Sequence, residues 1–380
     1  MQRYDAIVVG AGAMGCATAL QLAKRGVKTL VLEKFTLNHP YGSSHGRTRI
    51  IRTAYAENPC YVPLVKRAFE LWRDVEGRSG RQLLVKTGGL MIGSPKSWLV
   101  TGVLRSAKEH GLPHELMSRS EVEARFPQFR MSRSEVAVHE DAAGFLFAEE
   151  CIRAMKELAE KDGAEFHFEE PVADWEIGDH GIIVRSKRGS YSADKLIIAA
   201  GSWLPSLVPE LKLPLKCERQ CVFWFKPRGN AGVFSSARMP IYIWELRDRR
   251  IFYGFPDYGE GIKAARTHGG RVTSPDSVSR STSSEDLRPV RSFLRGHLPG
   301  ANGRMISSAV CLYTNTPDQD FVVDFHPRSR RVVLLSPCSG HGFKFASAIG
   351  ELAAELVLEG KTRFDLNPFK VSRFRSTVRP

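Results

Sequence analysis

The chain opens with Ala6-Ile7-Val8-Val9, a short unbroken apolar run, the pattern of a strand buried on both faces. Residues 17–24 read as a helix ended by Gly26, and Thr29-Leu30-Val31-Leu32 as a second strand that stops on Glu33. A polar, glycine-bearing stretch over 39–52 reads as a loop. Residues 63–75 place Leu64, Val65, Ala68, Leu71, Trp72 and Val75 on one helical face. Strands are predicted around Gly88-Gly89 and across 164–199, and helices near 96–110 and 147–162. The aromatic and β-branched stretch 217–256 predicts antiparallel sheet. A Ser/Thr-rich loop at 273–285 precedes a helix near 286–297. A strand at 331–336, the loop Ser339-Gly340-His341-Gly342 and a helix over 343–358 follow.

A length of 380 residues predicts about two domains. The formal charge of +14 admits a nucleic-acid partner, but no RNA- or DNA-reading motif accompanies the basic residues. They are spread along the chain and densest at Lys370, Arg373, Arg375 and Arg379, so the charge reads as a solvated surface that favours anions, with no nucleic acid bound. Seven scattered cysteines form no disulfide framework, and no second pair or histidine cluster completes a zinc site with Cys217 and Cys221, so no metal is expected. A first strand entered by Tyr4 leaves no room for a signal peptide, and no apolar run reaches the roughly 18–20 residues of a membrane span. A cytoplasmic protein off the membrane is expected.

The chemistry begins at Gly10-Ala11-Gly12-Ala13-Met14-Gly15. Placed between strand and helix, Gly10 permits the tight turn and Gly12 the approach of backbone to a pyrophosphate. Gly15 lets the helix pack close, with its N-terminus facing the phosphates. Glu33 suits ribose hydroxyls and would repel a 2′-phosphate. The turn alone says only "dinucleotide". A second strand-to-glycine element, Ile198-Ala199-Ala200-Gly201, lies far downstream, and that separation suits a flavoprotein whose dinucleotide domain is interrupted.

Several further stretches carry a specific resemblance: residues 42–52 (GSSHGRTRIIR), Phe252-Tyr253-Gly254-Phe255-Pro256 with Gly261-Ile262-Lys263, and Pro299-Gly300-Ala301-Asn302-Gly303. So do Cys311-Leu312-Tyr313-Thr314 and Ser339-Gly340-His341-Gly342-Phe343-Lys344-Phe345. Taken in order from residue 5 to about 365, the chain resembles the monomeric sarcosine oxidase family, which also includes N-methyltryptophan, pipecolate and fructosyl-amino-acid oxidases. The resemblance implies an α/β fold. An FAD-binding domain would be assembled from 1–84, 146–214 and 319–380, and an antiparallel substrate domain from 85–145 and 215–318. It further implies a monomer that oxidises the C–N bond of a secondary amine carrying a carboxylate, such as sarcosine, to an imine and reduces O2 to hydrogen peroxide. Pipecolate, proline or fructosyl amino acids are alternative substrates, and a dehydrogenase with another acceptor is an alternative activity.

By the same resemblance Cys311 carries FAD as a thioether, and Lys34, Thr48, Gly340 and Gly342 join the glycine turn, Glu33 and Gly201 in holding it. Arg52 and Lys344 take the substrate carboxylate. His45 and Arg49 lie against the flavin, Lys263 promotes its reaction with O2, and Tyr253 and Tyr313 line the pocket. One position departs from the pattern. Sarcosine oxidases commonly have histidine four residues after the lysine matched by Lys263; here that place is Thr267, and His268 follows it. Either the loop brings His268 in, or the pocket takes a different amine.

Overall fold

The computed structural model describes residues 1–377, so Arg379 of the basic tail lies outside the described residues. Three sheets organise the chain. In the first, the parallel strands Gln2–Val9, Thr29–Leu32 and Glu165–His167 run side by side, with Gly189–Ile198 on the other flank of Gln2–Val9. Gly189–Ile198 is shared. Its first half pairs antiparallel with Gly181–Ser186 and its last three residues pair parallel with Ser329–Ser336. Ala6, Ile7 and Val8 are fully buried, as an unbroken apolar strand requires.

The second sheet has eight strands, drawn from residues 89–140 and 216–315. It is antiparallel except where Gly89–Gly93 runs parallel to Ile241–Glu245. Its long outer pair, Lys216–Phe225 with Met305–Asn315, sets Cys311 opposite Gln220. A third, three-stranded sheet contains Thr48–Ile51, Gly144–Phe147 and Leu84–Lys86.

Four expectations need correction. The first helix starts at Ala13, not at residue 17, so its amino end sits inside the glycine turn. Residues 48–51 form a strand within the expected loop, paired to Gly144–Phe147. A short helix, Arg119–Arg125, stands where none was expected, and its capping box of Ser118 and Glu121 is the signal that marks it. The closing helix spans Ala346–Glu359 and is preceded by a single 3₁₀ turn, Phe343–Phe345.

The first and closing helices touch backbone to side. A Cβ on Gly350 would stand 2.4 Å from the Ala17 carbonyl oxygen, so only glycine permits that approach. Helix Ala13–Ala23 is consequently buried nearly all round.

Candidate functional site

The carboxyl ends of Gln2–Val9 and Gly189–Ile198 lie side by side, with Val9 opposite Ile198, and both run into glycine. This is the edge at which open α/β sheets bind ligands. Gly10 has φ +102°, and a Cβ there would stand 2.7 Å from the Ala199 carbonyl oxygen. A Cβ on Gly15 would fall 1.7 Å from the Gly10 oxygen. Gly12 caps the first helix without a side-chain hydrogen bond, leaving its amino end directed at the cavity; Ser44 Oγ accepts from Ala13 N–H at 3.3 Å. Glu33, 5% exposed, accepts from the N–H groups of Ala11 (2.6 Å) and Phe35 (2.9 Å). The carboxylate expected to face ribose therefore also braces the glycine turn. Burial pushes its pKa up, against those donors. Lys34 pairs with Asp276 at 2.9 Å and lies over the Trp203 ring, which donates to the same Asp276. Gly201, at φ +53°, lies on the same wall.

A cavity of about 1270 Å³ runs from Glu33 past the glycine turn to Cys311, Tyr253, Tyr313 and Lys344. That exceeds the roughly 300–1,000 Å³ of pockets for single drug-sized ligands. Thr48, Arg49, Arg52, Gly340 and Gly342 also line it; Gly15, His45 and Lys263 stand behind the wall. Gly340 (φ +82°) presses on Tyr313, where a Cβ would meet the ring at 2.6 Å.

Around Cys311 the loop 43–49 folds back on itself. Arg49 donates to the carbonyls of Ser43 (2.7 Å), His45 (2.5 Å) and Thr48 (2.9 Å). The Cys311 Sγ lies 3.6 Å from the His45 carbonyl oxygen. Burial works to raise this thiol's pKa, but the His45 imidazole and Arg49 guanidinium work downward and hold it at about 7. The buried His45 Nε2 has no hydrogen-bond partner among the described residues. Lys263, 1% exposed, donates to the carbonyls of Gly46 (2.7 Å) and Thr48 (2.8 Å) and lies 4.7 Å from the Phe255 ring centre. Burial pushes its pKa well down, with Arg49 adding to the effect.

Across the cavity Arg52, 2% exposed, makes a two-pronged ion pair with Glu57, a residue that no motif singled out. It also donates to Ala54 O and lies 4.4 Å from the Tyr55 ring centre, while its buried Nε has no hydrogen-bond partner among the described residues. Burial would raise the Glu57 carboxyl, but Arg52 outweighs it and the pKa falls to about 2. Lys344 donates to His341 O (2.7 Å) and to the Tyr55 hydroxyl (3.2 Å). Burial, reinforced by Arg52, lowers its pKa to about 7. His341 Nε2 faces the Gln319 carbonyl at 3.0 Å and must donate to it, so Nδ1 accepts from Tyr55 at 2.8 Å. Burial depresses the His341 pKa to about 4, and the ring is neutral at pH 7.

On the third wall the Tyr253 and Tyr313 hydroxyls interact with each other, and Tyr313 also with Thr267. Burial raises both phenols, so both stay protonated. His268 has φ +56°. Its ring packs edge-on against Tyr313 at 5.3 Å, and its Nδ1 lies 3.6 Å from the buried Glu218. The loop thus brings both Thr267 and His268 to the cavity.

The residues fit a flavin dinucleotide. They present a glycine turn and helix end for pyrophosphate, an acid at the second strand for ribose, an orphaned buried His45 nitrogen, and an activated thiol at the far end of one continuous cavity. The comparisons agree. The family model for FAD dependent oxidoreductases matches residues 5–356. The chain is 40% identical over 374 residues to a monomeric sarcosine oxidase of Streptomyces avermitilis, covering 97% of each chain. It is 34% identical to an N-methyl-L-tryptophan oxidase of Salmonella agona, over 98% of this chain and 99% of that one. Among solved structures, L-proline dehydrogenase from P. horikoshii superposes with a TM-score of 0.86 at 22% identity, over 99% of each chain, which bears on the fold alone. By this match over nearly its whole length, the chain belongs to the family of FAD-dependent oxidoreductases that holds the monomeric sarcosine oxidases.

Proposed function

We propose that the protein oxidises an N-methyl or other secondary amino acid to its imine and passes the electrons to O2, yielding hydrogen peroxide. The observation that carries this reading is the pair of buried cations, Arg52 and Lys344, set across one cavity from the Tyr253–Tyr313 wall. FAD supplies the acceptor for the hydride equivalent and the route from there to O2.

The chain's own residues do the positioning. Arg52 and Lys344 grip the substrate carboxylate, with Glu57 holding Arg52 in place until the substrate arrives. Tyr253 and Tyr313 offer aromatic faces to the amine and its N-alkyl group. Arg49, with the amine of Lys263 beside it, favours negative charge at the adjacent wall of the cavity, which promotes an oxidase over a dehydrogenase. Cys311, its thiol held at about 7, is proposed as the point of covalent attachment for FAD. We also infer the division into an FAD-binding unit (1–84, 146–214 and 319–380) and a substrate unit (85–145 and 215–318), supported by the distinct strand sets of the first two sheets. A monomer in the cytoplasm belongs to the same reading.

The test is a panel of secondary and primary amino acids assayed for peroxide with the purified holoenzyme. Turnover of N-methyl amino acids supports the reading, and turnover of none refutes it. A reduced enzyme that persists in air would favour a different electron acceptor.

A further inference from the structure

Beyond the tyrosine wall the cavity opens at one end of the second sheet. Tyr253 pairs with Ile243 and Ala265, and Ile251 with Glu245 and Thr267. The hairpin turn 246–250 therefore stands one pleat repeat, about 7 Å, outward of Tyr253 on the same wall.

That mouth is cationic. Lys96, Arg247, Arg249, Arg250 and Arg266 line it together with two acids, Glu245 and Asp248. Both acids are already committed. Glu245, 6% exposed, accepts from Leu99 N–H at 2.7 Å in the first turn of helix Trp98–His110, and Asp248 binds Arg250 at 2.6–2.7 Å. Arg247 has only a neutral partner, Ser134 Oγ at 2.7 Å. Lys96 and Arg249 are exposed, and their side chains have no hydrogen bond or ion pair with the described residues. Arg266, whose charge also acts on Asp248, keeps a buried Nε with no hydrogen-bond partner among the described residues. The five cations outnumber the two acids by three at the entrance, and a net charge of +14 raises the local potential further. The carboxylate of a simple N-methyl amino acid is already accounted for by Arg52 and Lys344, at the inner end of the cavity.

We propose that the mouth is a second anion subsite and that the preferred substrates are N-alkyl amino acids carrying a further anionic group, a carboxylate or a phosphate, on a side chain long enough to reach it. The inference rests on the amine-oxidising reading and narrows its substrate class. The shared chemistry is an anion held by Lys96, Arg249 and Arg266.

Matched substrates test it on the holoenzyme: N-methyl-L-glutamate against its neutral isostere N-methyl-L-glutamine, with O-phospho-N-methyl-L-serine against N-methyl-L-serine as the phosphate arm. The non-oxidisable thioethers 2-(methylthio)glutarate and its δ-amide are titrated in parallel through the flavin absorption. A preference for the anionic member of about tenfold in kcat/KM or Kd is expected, the effect of two or three partly exposed ion pairs. The preference should shrink with added salt and fall toward unity in the double variant K96Q/R249Q, whose side chains anchor nothing in the fold. A ratio at or below one in both arms of the unaltered enzyme overturns the proposal, as does a ratio that the double variant leaves unchanged. If the neutral amines are turned over without an anionic preference, only this inference fails. If no amine is oxidised and no thioether perturbs the flavin, the amine-oxidising reading fails with it.

Discussion

Arg52 is held by Glu57 through two hydrogen bonds of 2.8 and 3.1 Å, and the pair faces the cavity where a substrate carboxylate is proposed to bind. Glu57 therefore competes with the ligand for the same guanidinium. Glu57→Ala should lower stability by about 3 kcal/mol, the low end for breaking a buried ion pair, while tightening carboxylate binding several-fold. Thermal unfolding and titration with a non-oxidisable thioether carboxylate would read the two effects. Loss of both stability and affinity would mean that Glu57 is needed to aim Arg52.

The second cation gives a pH dependence. Lys344 has a depressed pKa of about 7, and a bound carboxylate favours its charged form, so the complex must have a higher pKa than the free enzyme. Affinity for a thioether carboxylate, which has no amine to titrate, should be full below pH 7 and fall as pH rises through that value. Lys344→Met should flatten the profile. Glu57→Ala should shift it to lower pH, because Glu57 raises the Lys344 pKa.

Cys311→Ser should leave the fold intact, since the new hydroxyl replaces a thiol of similar size facing the His45 carbonyl. The measurement is whether yellow colour stays with acid-precipitated protein. Retention in the unaltered enzyme and release in the variant are expected; retention in both would place the attachment elsewhere.

Gly15→Ala would drive a methyl group to 1.7 Å from the Gly10 oxygen and 2.9 Å from its carbonyl carbon, backbone atoms that cannot swing aside as a flexible side chain would. A cost of about 2–3 kcal/mol is expected, together with loss of bound flavin, because the helix end must retreat from the turn. Flavin content per chain after purification would check it.

What could be read before the structure follows from the range of the interactions. The strand at Ala6–Val9 and the glycine turn are local patterns, fixed by a few adjacent residues. Thr48–Ile51 reads as loop because the stretch around it is polar and glycine-bearing, and it becomes a strand only through its pairing with Gly144–Phe147. Glu57, Tyr55 and His341 carry no local signal of a role, for a related reason. Tyr55 and His341 meet across 286 residues of chain, and nothing near either one announces the other. The resemblance puts Lys263 beside the cofactor, and the structure adds that the carbonyls of Gly46 and Thr48 accept from its Nζ. Thr267 and His268 posed an open choice in the sequence; the left-handed backbone at His268 lets both reach the cavity.

The first sheet is completed by Ser329–Ser336, which pairs with Gly189–Ile198, and the closing helix locks onto the opening one through Gly350 and Ala17. During synthesis the glycine turn leaves the ribosome early, but Gly340 and Gly342, which line the same cavity, emerge more than 300 residues later. The nascent chain thus holds half a cradle for most of its translation. Completion of the cavity becomes a late event in biogenesis, and a ribosome stalled before residue 340 would display a chain still lacking that part of the wall.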